Sequence, residues 1–250
     1  MKTILLEQYM QDLATMESFY RYSDYAFKNE QLKEEITKAE IKVMVDIAMP
    51  YVKGSPGEQD KVREIIQVEV TKNVSKAIEN GLATLRRQLL EAAHSVFEKY
   101  LCHVVRVYLH TFPEILYGID KEISFRTVAQ LKDNESIFNH IIEKEVGHFS
   151  YRSLQEKKQY CASTLKHTGQ ETVWVYKGQE LWKDIDKKRQ AIVHEDELPE
   201  VSFDYLSTAI LYFQHVMVGM AMNAQADQGV PFKWAMAGEY VKKKELPSLR

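Results

Sequence analysis

Residues 82–108 read LATLRRQLLEAAHSVFEKYLCHVVRVY, and the spacing of their apolar side chains decides the fold class. Leu82, Leu85, Leu89, Ala93, Val96, Tyr100, Val104 and Tyr108 recur in steps of three and four. That is the period of a helix with one apolar stripe, sustained for roughly seven turns until Pro113 forbids its continuation. Working outward, the same period recurs almost everywhere. Leu5, Tyr9, Leu13, Met16 and Tyr20 predict a helix from Lys2 to about Phe27. Asn29 and Glu30 restart a second helix, which carries Ile36, Ile41, Val45 and Ala48 inward as far as Pro50. After the loop Lys53 to Gly57, a third helix from about Glu58 carries Val62, Ile65, Ile66, Val70 and Val74. Its end is expected at Asn80-Gly81, because both residues tolerate the left-handed conformation of a helix terminus.

Toward the C-terminus, a short helix is expected over Tyr117 to Leu131, then a capped one from Asp133-Asn134 with Ile137, Phe138, Ile141, Ile142 and Val146 inward. Another runs from about Ser150 to Leu165. Thr172 to Tyr176 has strand-like composition but no partner strand, and reads as an extended packing segment. Gly178 marks the turn into an amphipathic run, Leu181 to His194. The most apolar helix follows from near Ser202, with Leu206, Ile210, Phe213, Met217 and Met220 on one face and Leu211, Val216, Val218 and Met222 over much of the rest. A short helix beginning at Pro231 would lead to the basic tail Lys242 to Lys244. The expectation is an all-α protein: an N-terminal helical region 1–80, a helical domain 81–226, and a C-terminal short helix and tail 227–250.

Ten glycines and six prolines in 250 residues agree with long helices and few turns. A net charge of −3 excludes a uniformly basic nucleic-acid binder while leaving room for a local basic groove. Cys102 and Cys161 are too isolated for a disulfide scaffold or a metal knot, and read as reduced thiols of a cytoplasmic protein. Ile4 to Leu6 is too short an apolar run for a signal peptide. Tyr205 to Met222 is interrupted by Ser207, Thr208, Gln214 and His215, so a buried helix is expected there and no membrane span. No Walker loop, GxSxG elbow or HExxH occurs.

One constellation carries chemistry. Arg189-Gln190-Ala191-Ile192-Val193-His194 closes the amphipathic run, with the acidic loop Glu195 to Glu200 and the apolar helix behind it. An RxxxxH spacing arises by chance about 0.3 times in a chain of this composition, so the flanking context carries the inference. That context, with the segment Leu90 to Leu101, resembles the HEPN superfamily: all-helical domains, many of them metal-independent RNA endonucleases, in which an "AFExYL"-like helix packs against the helix bearing RxxxxH. The resemblance implies a HEPN-like bundle with Arg189 and His194 catalytic and Gln190 supporting. It further implies a homodimer, an RNA substrate, no cofactor and no metal, and a toxin–antitoxin or phage-defence setting with an antitoxin as a possible partner. Two features depart from the family pattern: Gln190 stands where asparagine, aspartate or histidine is usual, and the loop after His194 is acidic.

The residue types suit the chemistry. Cleaving RNA without a metal needs a base for the ribose 2′-hydroxyl or an acid for the 5′-oxygen, and histidine titrates in the right range. It also needs a cation against the charge building on phosphate, which the planar fork of arginine supplies. Attack of the 2′-hydroxyl would leave a cyclic phosphate. Lys183, Lys187 and Lys188 on the same run would add potential for the RNA backbone. Residues five apart on a straight helix point about 140° away from each other, so Arg189 and His194 of one copy converge only if the helix ends between them or two copies meet. A non-catalytic HEPN-like interaction or nucleotide-binding module is the alternative.

Other candidates are weaker. Glu91/His94 and Glu145/His148 are ExxH pairs of the kind used in di-metal carboxylate bundles, but lack the two further inward glutamates such a site requires. Arg87 and His94, seven apart, form a second loose arginine–histidine match, and His94 beside the apolar stripe reads as a helix-packing histidine. Trp174, Trp182 and Trp234 read as core or interface aromatics.

Overall fold

The computed structural model describes residues 3–118, 124, 128, 130–131, 133–165, 170–194 and 198–233. The described residues are all-α, as the periodicity predicts. The helices are α1 (Leu6–Lys28), α2 (Glu30–Ala48), α3 (Pro56–Thr111), α4 (Asn134–Ser150), α5 (Leu154–Ser163), α6 (Trp182–His194) and α7 (Phe203–Gln228), with a single helical turn at Gln170–Val173. The break between α1 and α2 falls where expected. The Asn29 side chain accepts a hydrogen bond from the Leu32 N–H at 3.1 Å and so satisfies one of the free donors of α2.

The third and fourth expected helices are one. α3 runs 56 residues without ending at Asn80-Gly81. A left-handed cap is only a local option. The buried positions Val70, Val74, Leu82 and Leu89 continue one helical stripe straight through it, and the packing of that stripe outweighs the roughly 1 kcal/mol that a mid-helix glycine costs. At its start, Pro56 occupies a first-turn position where its missing N–H is harmless, and the Glu58 carboxylate accepts from the Ser55 N–H at 2.7 Å. Pro113 ends it as expected.

Two compact units share these helices. One comprises Thr15–Leu89 and Glu200–Leu206. Within it Tyr20 stacks on Phe203 with centroids 5.1 Å apart. Arg86 donates to the Tyr20 hydroxyl at 2.8 Å and to the Val201 carbonyl at 2.6 Å. The expected inward residues of α2 are only partly covered, and no residue of that helix is buried.

The other unit comprises Met1–Ala14, Leu90–Pro199 and Ser207–Arg250. Its core is the second half of α3 (Leu90, Ala93, Phe97, Leu101, Val104, Val105) with Ile142, Val146 and Phe149 of α4, Cys161 of α5, Ile185 of α6 and Ile210, Phe213, Met217 and Met220 of α7. Phe97 and Phe213 stack at 4.7 Å, and the Tyr100 hydroxyl donates to the Met217 carbonyl at 2.8 Å. Most of α7's all-round apolarity is therefore satisfied within the chain, although Leu211 and Met222 stay 43% and 55% exposed. Among the described helices none is long and apolar enough to cross a membrane.

Thr172 to Tyr176 is not an extended segment throughout. It leaves the helical turn at Val173, buries Trp174, and closes a two-residue turn in which Tyr176 and Gln179 exchange backbone hydrogen bonds of 3.0 Å. Lys177 and Gly178 have φ of 50° and 76°, the positive values such a tight turn demands. The expected helix at Pro231 does not start there: Phe232 lies beside Ile4 as a parallel bridge, with Ile4 N–H donating to Pro231 and Lys233 N–H to Ile4. The tail 242–244, Trp234, and most of the expected helix 117–131 lie outside the described residues.

Candidate functional site

α6 buries Trp182 and Ile185 on one face, and Asp186 and Arg189 continue up the same side of the helix. Arg189 is half-buried; its Nε has no hydrogen-bond partner, and no ion pair to it forms, among the described residues. Gln190 and His194 are exposed. Because α6 continues to His194, it does not end between the two signature residues, and within one chain they diverge. Of the three lysines, Lys183 is engaged by Glu180 at 2.9 Å and lies over the Trp182 ring at 5.4 Å. Lys187 is exposed and Lys188 half-buried. Trp182 is only 6% exposed and belongs to the core, as expected.

Asp186, one turn before Arg189 on α6, reaches His94 of α3. This histidine is 1% exposed, and its ring edge meets Phe213 at 6.0 Å, so it is a packing residue as expected. It is also held between two carboxylates: Nδ1 lies 3.5 Å from Glu98 Oε2 on α3, and Nε2 lies 3.6 Å from Asp186 Oδ1 on α6. Both are ion-pair separations longer than a good hydrogen bond, and neither ring nitrogen has a hydrogen-bond partner. Glu98 in turn pairs with Lys157 of α5, itself 1% exposed. Three helices are thus tied by alternating charge, with the side chains of Glu98 and Asp186 28% and 29% exposed above the buried histidine and lysine.

The electrostatics follow from that order. Burial by itself pulls the His94 pKa down, but Asp186 and Glu98 more than offset it, with Arg189 opposing them, and the net movement is upward. Burial pushes Glu98 up, yet His94 and Lys157 outweigh it and hold the carboxyl at about 2. Burial lifts the Cys161 thiol to about 12, which makes it inert as a nucleophile.

The motif singles out Arg189 and the apolar stripe draws attention to His94, but neither points to Glu98, Asp186 or Lys157. Two signals were available: His94 and Glu98 are i,i+4 on α3, and Asp186 and Arg189 are i,i+3 on α6. Lys157 carries no local signal. Arg87 does not pair with His94; it donates to Thr84 at 3.1 Å. Of the ExxH residues, Glu145 is buried and faces Arg152 at 3.7 Å. Among the described residues no three His, Cys, Asp or Glu side chains have a metal-holding arrangement. Residues 195–197 of the acidic loop lie outside the described residues.

No family model, curated protein or solved structure matches the chain.

Proposed function

We propose that the chain is a metal-independent endoribonuclease of the HEPN type, working as a homodimer. The observation that carries the reading is the half-buried Arg189 with an unpartnered Nε, on a helix whose solvent side presents Gln190 and His194. A partly desolvated guanidinium whose Nε has no hydrogen-bond partner among the described residues is matched by an anion, and a phosphodiester fits its fork. Since α6 turns Arg189 and His194 apart, each site would take Arg189 from one copy and His194 from the other. A symmetric pairing of α6 supplies that, because a two-fold axis juxtaposes like elements.

In the proposed reaction His194 takes the proton of the 2′-hydroxyl as its oxygen attacks phosphorus. The bond from phosphorus to the 5′-oxygen breaks, and that oxygen takes its proton from solvent. The products are a 2′,3′-cyclic phosphate and a 5′-hydroxyl, and Arg189 balances the charge on the non-bridging oxygens. A toxin–antitoxin or phage-defence setting, with an antitoxin as partner, is what the HEPN resemblance implies for such an activity.

The carboxylates of Glu98 and Asp186, which hold His94 between them, favour a second reading, a non-catalytic HEPN-like module that engages an anionic group without cleaving it. RNA cleavage by the purified protein separates the two. For the nuclease, His194→Ala loses roughly 10²–10⁴ in rate while remaining folded, and added EDTA changes nothing. Wild type and His194→Ala alike leaving RNA intact decides for the module, and full activity from a stable monomer excludes the composite site.

A further inference from the structure

We propose that His94 couples proton uptake to anion binding at Arg189, so that the site holds a phosphodiester or similar oxyanion more tightly when His94 is protonated. The inference rests on the reading above that Arg189 receives an anion, and adds how that binding is regulated. It starts from placement. His94 is 1% exposed and touches no solvent-borne ligand itself, yet it contacts Asp186, and Arg189 follows one turn later on the same side of α6. The groups facing it are Glu98 from its own helix, Asp186 and Arg189 from α6, and, through Glu98, Lys157 from α5; α7 contributes the uncharged Phe213.

Counting these side chains fixes the sign. With His94 neutral, Lys157 and Arg189 balance Glu98 and Asp186, and the cluster has no charge left for an incoming anion. Protonation of His94 leaves one positive charge in a water-poor place where Coulomb interactions are weakly screened. That charge repels Arg189 until an anion arrives, and a singly charged phosphodiester neutralises the set. Binding and protonation must then favour each other by the same factor. The order expected is about fivefold, the lower end of typical coupling between sites.

The test uses the whole chain with isotope-labelled histidine and arginine, and sulfate as the probe, because sulfate does not titrate near neutrality. Ionic strength is held constant with chloride. The His94 ring signal is followed against pH with and without sulfate, beside the Arg189 Nε–H signal. Saturating sulfate is expected to raise the His94 midpoint by about 0.7 pH, the equivalent of a fivefold change in affinity. In Arg189→Gln the midpoint should already be higher without sulfate and should no longer respond to it. An Arg189 signal that moves with sulfate while the His94 midpoint stays fixed overturns the coupling alone and leaves the nuclease reading standing. Neither signal moving overturns both. An equal response of His94 in Arg189→Gln places the anion elsewhere and also overturns the proposal.

Discussion

The two halves of α3 obey one periodicity and live in different environments. From Leu90 onward nearly every apolar residue is buried, including Phe97, Leu101, Val105 and Leu109, which lie off the stripe that defines the helix in sequence. Before Leu90 only Val70, Val74, Leu82 and Leu89 are buried, and Ile65 and Val68 stand 62% and 61% exposed. The polar residues divide the same way. The first half carries solvated pairs such as Arg63 with Asp60 at 3.3 Å, where ion pairing contributes roughly 0–1 kcal/mol. The second half carries Glu98 and His94, whose partners come from α5 and α6. Regular helical spacing reveals that a face is apolar, but how many neighbours will cover a helix depends on the rest of the chain.

Truncating side chains gives the largest contrast. Phe97→Ala removes a ring stacked on Phe213 and edge-on to Trp174 at 5.7 Å, and should cost about 3–5 kcal/mol. Ile65→Ala, on the exposed half, should stay within about 0.5 kcal/mol. Urea denaturation of both variants checks this, and equal losses would break the division of α3. Next comes the charge cluster. Glu98→Ala strands Lys157, which is 1% exposed, and should cost about 3 kcal/mol. Lys157→Met removes the more deeply buried charge and leaves Glu98 partly in water beside His94, so it should be close to neutral. The reverse order would mean that the lysine is not the buried member.

These contrasts also show what could be read in advance. The break at Asn29, the stop at Pro113, the entry to α6 after Gly178 and the core face of α7 were legible because each is written in neighbouring residues. Asn80-Gly81 misled because a cap signal is local while the stripe through Val74 and Leu82 is not. At the candidate site the motif singles out Arg189, which the structure places half-buried on α6. The carboxylates that hold His94 were not legible, because Asp186 and Glu98 lie 88 residues apart in sequence and meet only after folding.

The pH dependence of stability is a smaller effect, confined to the buried half. The His94 pKa is raised in the folded chain, so its contribution is fully present below the unfolded value of about 6.5 and is lost as pH rises through the folded one. Glu98 has the opposite sense: its contribution is present above an ordinary carboxyl pKa and is lost as pH falls toward about 2. Stability measured against pH should therefore show an alkaline decline that His94→Gln removes and an acid decline that it only reduces, since Lys157 still holds Glu98.

The smallest effect has a decisive sign. Gly81 lies inside α3, and a Cβ built on it meets nothing within 4 Å. In a continuous helix Gly81→Ala replaces the residue that loses most backbone freedom on folding with the best helix former, and should stabilise by about 0.5–1 kcal/mol. If the helix instead ended there, with Gly81 in the left-handed conformation its sequence suggests, the same substitution would force an alanine to positive φ and destabilise by about 1 kcal/mol or more. The two architectures thus predict opposite signs for one methyl group, and chemical denaturation resolves the difference. A gain supports one helix spanning residues 56–111. A loss would divide it in two at the point where the amino-acid sequence alone proposes the break.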